Sequence, residues 1–511
     1  MSSTSNLQPR TFNLEPSTSN LQPRTFNLEP STSNLQPSTF NLQPRTFNLQ
    51  PSTSNFKPST FNLQPSTFNF KPSTDESPSY IKTRLTMRLL CLSNGHGEDV
   101  IAVQILQELQ HYSTCPELAA LPLVGEGKAY LPLDIPIIGS VEQMPSGGFI
   151  YMSQQQVWRD VQGGLVQLIW SQLKAIRRWA KSGDFILAVG DIVPLLFAWW
   201  SGLPYGFVGT AKSEYYLRDE SGWLPNRPRW EGWSGSVYLP WERWLMSNRR
   251  CLGVFPRDTL TTQILKQWSI PAFDLGNPMM DGIYPDYPAP MVYDKDAELN
   301  ETKRTLTITL LPGSRIPEAD HNWHQIILAA SGLLDTFASR SLLFLAAIAP
   351  GLSQDPLREV LVAHSWTEVT LPSDPFNLQL KDKQALAFTK QNGTLILTQN
   401  DYNLCLLQGD FCIAMAGTAT EQFVGLGKPA IAMPGVGPQY TPAFAEAQTR
   451  LLGPSLVIAQ QPELVASIAK ELFHNPDKLQ LIAENGQRRL GQPGAAARIA
   501  KCLMEKMNYE L

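Results

Sequence analysis

Asp191 stands directly after the apolar run FILAVG, and a carboxylate at the end of a buried strand can accept the proton of an attacking hydroxyl. Pro194 follows closely, so Asp191 could equally serve as a helix cap. A second polar cluster, SNGHGED (93–99), ends the run RLLCL. Asn94, Gly95 and Gly97 form a turn suited to a substrate or phosphate loop, crowded by His96, Glu98 and Asp99. His96 is the alternative base, with a hydrogen-bonded turn histidine as the plain reading. Asp99 in turn could be no more than a charge favoured by a helix N-terminus.

Two further turns are suited to anions. In LLPGSR (310–315), Gly313 lets backbone N–H groups approach a phosphate, Ser314 stands beside it, and Arg315 adds a planar fork of donors. In AGTATEQ (416–422), Gly417 and Thr418 open a helix whose free N–H groups and dipole favour a diphosphate. Thr420 could cap or donate, and Glu421 or Gln422 could hold ribose hydroxyls one turn in. Each motif alone is also compatible with an ordinary turn or a capped helix. Two of them at strand ends in one half favour nucleotide binding. No GxxxxGK[ST] occurs, and SNGHGED lacks the GxGxxG of nicotinamide sites. His321 and His324 have HxxH spacing, but no Cys or carboxylate cluster completes a metal site, so none is expected.

These turns need a scaffold. Short apolar runs at 88–93, 185–189, 205–208 and 251–255 alternate with helical patterns such as 99–110. A polar stretch, 284–303, interrupts the pattern, and it restarts at 305–311, 342–348, 394–397, 411–416 and 430–433. Alternation of this kind implies an α/β chain of two Rossmann-like domains, each a parallel sheet covered on both faces, with a ligand cleft between them. The most membrane-like stretch, Phe185 to Gly209, is broken by Asp191, Pro194, Gly202 and Pro204, so it reads as strand and helix rather than a span.

Residues 3–72 are ten heptads such as STSNLQP and RTFNLEP. Proline in every unit excludes a continuous helix, and the few apolar residues cannot offset ordering entropy, so a disordered tail is expected over 1–86. The expected domains are 87–283 on the acceptor side and 304–490 for the nucleotide, with a helix over 491–511 returning to the first domain. A net charge of -4 gives no global basic character that would point to nucleic acid. Six cysteines without a CxxC pair suggest reduced thiols and a cytoplasmic setting.

SNGHGED, MPSGGF (144–149), VGD (189–191), GNPMMD (276–281), LLPGSRIPE (310–318) and AGTATEQ occur in an order that resembles lipid-A-disaccharide synthases, closest to the related branch found in cyanobacteria. The resemblance covers roughly Arg88 to the C-terminus. It implies a GT-B fold and inverting transfer from a UDP-sugar, which is a substrate, with no cofactor and no metal. It places Gly313, Ser314, Arg315, Gly417, Thr418 and Thr420 near the donor phosphates and the family's carboxylate at Asp191. The alternatives are a UDP-sugar 2-epimerase and a non-catalytic nucleotide-sugar-binding protein.

The acceptor is expected to be lipid-linked. Ten of the thirteen tryptophans fall between Trp158 and Trp244, and residues 151–250 carry 12 Lys and Arg against 8 Asp and Glu. Residues 163–181 and 223–250 therefore suit an anionic membrane surface, peripheral on its cytoplasmic face, as well as an ordinary core-facing helix with a basic end.

Overall fold

Strand β1 (Arg88–Ser93) is apolar on every residue but its first and last because both its faces are covered. Leu89 and Cys91 face one core cluster, while Leu90 and Leu92 face another, so the period of two sorts a continuous run onto two sides. The computed structural model describes residues 87–141, 165–225, 227–228, 230–283, 304–371, 376, 378–437 and 440–508. The heptads, MPSGGF and the 284–303 stretch lie outside the described residues.

The first lobe continues with α1 (His96–Gln110), β2 (Glu117–Pro122), α2 (Leu165–Ala180), β3 (Phe185–Gly190) and α3 (Ile192–Ser201). It closes with β4 (Tyr205–Gly209), α4 (Pro240–Met246), β5 (Cys251–Pro256) and α5 (Thr259–Lys266). The sheet is parallel, in the order β2-β1-β3-β4-β5.

The second lobe begins with β6 (Leu306–Leu311), α6 (Glu318–Thr336), β7 (Leu342–Ala347) and α7 (Gln354–Ala363). Next come β8 (Thr367–Val369), β9 (Leu386–Lys390), β10 (Gly393–Thr398) and α8 (Tyr402–Gln408). Then follow β11 (Phe411–Ala414), α9 (Thr418–Gly425), β12 (Ala430–Ala432), α10 (Pro442–Leu452) and β13 (Leu456–Ile458). Helices α11 (Leu464–Phe473), α12 (Pro476–Leu490) and α13 (Ala495–Asn508) end the chain. The sheet order is β8-β9-β10-β7-β6-β11-β12-β13, antiparallel only at β8-β9 and β9-β10.

The strand order switches from one side of the first strand to the other between β1 and β3 in the first lobe and between β6 and β11 in the second. A crevice opens at the carboxyl ends of strands where the order reverses, because the following chains leave to opposite faces. The last helix ties the end of the second lobe back to the first. Asp281 accepts from the N–H groups of Gly494 (2.6 Å) and Ala496 (2.7 Å), capping α13. Ile499, Leu503 and Met507 of α13 then join the first-lobe core with Leu89, Ile105 and Leu109.

The SNGHGED segment differs from the loop read in the sequence. Only Asn94 and Gly95 are loop; α1 starts at His96, three residues before the expected start, with Glu98 and Asp99 in its first turn. Carboxylates there favour the positive end of the helix dipole. Strand β2 and the β8–β9 ladder carried no signal that the sequence reading used. Phe185 to Gly209 resolves into β3, α3 and β4, and among the described residues no helix is long and apolar enough to cross a membrane. All six cysteines are free.

Candidate functional site

The turn after β6 and the turn after β11 meet at the second lobe's reversal point. Asn322, buried on α6, donates through Nδ2 to the Pro312 carbonyl (3.0 Å) and the Met415 carbonyl (3.3 Å), tying one turn to the other. Gly313 has φ +98°, and a Cβ there would stand 3.2 Å from the Met415 oxygen, so both conformation and closeness call for glycine. Gly417 precedes α9 with no side chain capping the helix. Among the described residues, the N–H groups of Gly417, Thr418 and Ala419 have no hydrogen-bond partner.

A cavity of about 900 Å³ opens over these turns. Gly313, Ser314, Arg315, Gly417 and Thr418 line it. Arg315 makes no ion pair among the described residues. Burial lowers its pKa, countered by Glu318 on its own lobe and Glu98 across the cleft. The first lobe supplies Tyr216 and Glu231 to the cavity wall. Arg450 of α10 clamps them, bonding the Tyr216 carbonyl and reaching the Glu231 carboxylate at 2.7 Å.

The other three residues read in the sequence as donor-binding do not line the cavity. Thr420 is buried and its hydroxyl donates to the Ala416 carbonyl, just before the N-terminus of α9. Glu421 pairs with Arg257, which follows β5 in the opposite lobe. The two are 7% and 4% exposed, and Arg257 also donates to the Thr210 carbonyl at 3.1 Å. Gln422 accepts from Tyr402 (2.6 Å) and donates to the Met279 carbonyl (2.7 Å). Glu421 and Gln422, read in the sequence as candidates for ribose hydroxyls, thus each reach the first-lobe side, through Arg257 and the Met279 carbonyl.

The first lobe's reversal point gathers a carboxylate pair. Asp191 is the N-cap of α3, accepting from Val193 N–H at 2.8 Å. Burial raises its pKa, Glu242 adds to this, and the Val193 N–H, Asn94 and Lys212 oppose it. Glu98 projects from α1 beside it, 3.4 Å from the Thr210 hydroxyl. Its pKa is also raised, by burial and by Asp191, with Arg315 of the second lobe pulling the other way. Asn94, 2% exposed, lies against Asp191, and its amide makes no hydrogen bond of good geometry. Gly190 has φ +135°, and a Cβ on it would stand 2.8 Å from the Asn94 Cβ, which keeps the two strand ends in contact.

Asp99 turns inward instead. It accepts from Ser93, which accepts from Tyr130 at 2.6 Å, and burial raises its pKa to about 7. Gly95 is buried and Gly97 is an exposed residue of α1. His96 begins α1, with its side chain outside the described set. Among the described residues, no group of three or more His, Cys, Asp or Glu is placed to hold a metal ion.

Asn322 and Arg257 went unread in the sequence. Asn322 had a signal: it shares a helical face with Ala319, Trp323 and Ile326, a polar residue at a core position. Arg257 had the signal that marked Asp191, a charge at the end of an apolar strand.

Two Rossmann-like lobes facing each other across a cleft define the GT-B fold. A Listeria monocytogenes protein assigned as a UDP-N-acetylglucosamine 2-epimerase shares this fold, with 15% identity, 83% of this chain and 97% of that one covered, and a TM-score of 0.50. The UDP-GlcNAc 2-epimerase of Neisseria meningitidis bound to UDP-GlcNAc also aligns, at 14% identity over 82% and 100% of the chains with a TM-score of 0.46. So does MurG of Acinetobacter baumannii, at 14% identity over 82% and 99% with a TM-score of 0.47. No protein-family model and no curated protein matches the sequence.

Proposed function

We propose that the chain is an inverting glycosyltransferase that moves a sugar from a UDP-sugar to a hydroxyl of a lipid-linked acceptor, as its resemblance to lipid-A-disaccharide synthases implies. The observation that carries this reading is the joining of the 312–315 and 415–417 turns by Asn322 under the cavity. The N–H groups at the start of α9 and the Arg315 guanidinium, without partners among the described residues, border a space suited to a diphosphate. They would neutralise charge that develops on the departing UDP, so that no cofactor or metal is required in the proposal. Asp191 would take the acceptor's proton, and its burial makes it a stronger base than a free carboxylate. His96 is the reserve base, and closure of the lobes would align donor and acceptor.

Titration calorimetry with UDP tests the donor site. Arg315→Ala is expected to weaken binding roughly tenfold to a hundredfold, the value of a charge-assisted hydrogen bond. Equal affinity in both proteins would refute the assignment. A second reading, a UDP-sugar 2-epimerase, draws support from the half-buried carboxylates of Glu98 and Asp191, close enough for Asp191 to raise the Glu98 pKa, since epimerisation needs two proton-handling groups and no acceptor. Labelled UDP-N-acetylglucosamine separates the two: label passing into lipid supports transfer, and label staying in a UDP-sugar supports epimerisation.

A further inference from the structure

Helices α2, α3 and α4 lie side by side on one face of the first lobe's sheet. Their inward residues, Ile176, Trp179, Leu195, Ala198, Leu245 and Met246, belong to one core cluster with Leu90 and Leu92. Their outward residues are also neighbours. The Trp199 and Trp244 rings stand 5.3 Å apart, joining α3 to α4, and the Arg177 guanidinium sits 4.5 Å over the Trp200 ring, joining α2 to α3.

The surface these helices present is unusual for one facing water. Trp170 is 72% exposed, and Leu196, Trp200, Trp241 and Trp244 are also exposed. Contiguous exposed apolar area of this kind marks a site of association. Lys174, Arg177, Arg178 and Lys181 are exposed around it. Neither α2 nor α3 contains a carboxylate, and the one on α4, Glu242, is buried and paired with Lys212 at 2.6 Å. Indoles and guanidinium groups without acids suit the headgroup region of a bilayer: the rings enter the acyl boundary and the cations meet anionic lipid.

We infer that the outward face of α2, α3 and α4 docks the protein on an anionic lipid bilayer. The charge pattern selects the occupant, since four cations with no exposed acid on these helices repel a second copy of the same face. Docking does not depend on the nucleotide reading and would hold equally for an epimerase. If the transferase reading stands, docking serves it, because Asp191, its proposed base, caps the N-terminus of α3, one of the helices that form the membrane face.

Co-sedimentation of the full chain with vesicles, without nucleotide, tests the inference. Binding is expected to vesicles of phosphatidylglycerol and phosphatidylcholine, to weaken with salt, and to be much weaker on pure phosphatidylcholine. Trp170→Ser with Trp241→Ser, both at exposed sites, should lower binding about tenfold or more. Lys174→Gln with Arg178→Gln and Lys181→Gln should lower it roughly fivefold per charge, on anionic vesicles only. Circular dichroism checks that both variants are folded. Absence of binding to anionic vesicles overturns the proposal, as does binding unchanged by either variant. A dimer that dissociates in the tryptophan variant, with no vesicle binding in the parent protein, overturns it in favour of a self-association surface.

Discussion

Arg257 and Glu421 form a buried ion pair between the lobes, and its disruption gives the sharpest test of how the cleft is held. Burial opposes the Arg257 charge, but Glu421 beside it outweighs that and keeps the guanidinium protonated. Glu421→Ala would leave Arg257 enclosed, with the Thr210 carbonyl as a remaining partner and Asp258 nearby. Breaking a buried pair by removing one partner costs about 3–5 kcal/mol, and these remaining contacts place the expected loss near the lower end, about 3 kcal/mol. Arg257→Met with Glu421→Met removes both charges and keeps the volume filled, so most of that stability should return. Urea unfolding of the parent, Arg257→Met, Glu421→Met and the double variant measures the coupling, expected at about 3 kcal/mol. Single effects that add within about 0.5 kcal/mol would refute the view that the two charges act as a unit. UDP affinity of the double variant separates the structural role from the ribose role. Unchanged affinity fits the pairing, whereas a loss of affinity with stability retained would return Glu421 to the nucleotide.

Three further outcomes are expected. Asp99 has its pKa raised from 3.8 to about 7, so its protonated form favours the fold; that stability is present below about pH 4 and is lost as pH rises through about 7. The shift amounts to about 4 kcal/mol, and unfolding measured against pH should show Asp99→Asn falling less steeply than the parent over that window. Gly313→Ala meets both the positive φ and the Met415 oxygen, and should cost about 1–3 kcal/mol in urea unfolding together with a loss of UDP affinity. Asp191→Asn should keep the α3 cap and UDP binding while lowering sugar transfer about a hundredfold or more, read as label reaching lipid.

Much of the scaffold was legible because buried parallel strands are nearly pure apolar runs. The runs at 88–93, 185–190 and 306–311 are strands at or within one residue of their expected bounds. The strand β2 and the β8–β9 ladder were missed: the former is a short ELAALP run without a flanking motif, and the latter is a local antiparallel addition whose residues are partly polar and exposed. At the candidate site, glycine and small residues after strands marked both turns that border the cavity, since close backbone approach restricts residue type. What that signal could not supply was direction. Asp99 and Glu98 are adjacent in the chain, yet one points into the core toward Ser93 and the other toward Thr210 and the cleft.

The sequence by itself determined the alternation of strand and helix, the two halves and the turns rich in glycine, because local burial and backbone conformation are written in residue type and period. Only the tertiary structure decided that Asn322 binds one turn to the other, that Glu421 answers Arg257 rather than standing in the cavity, and that tryptophans from three helices share one face. Those pairings join residues as much as 164 positions apart, and no spacing along the chain encodes which distant groups the packing of two lobes will bring together.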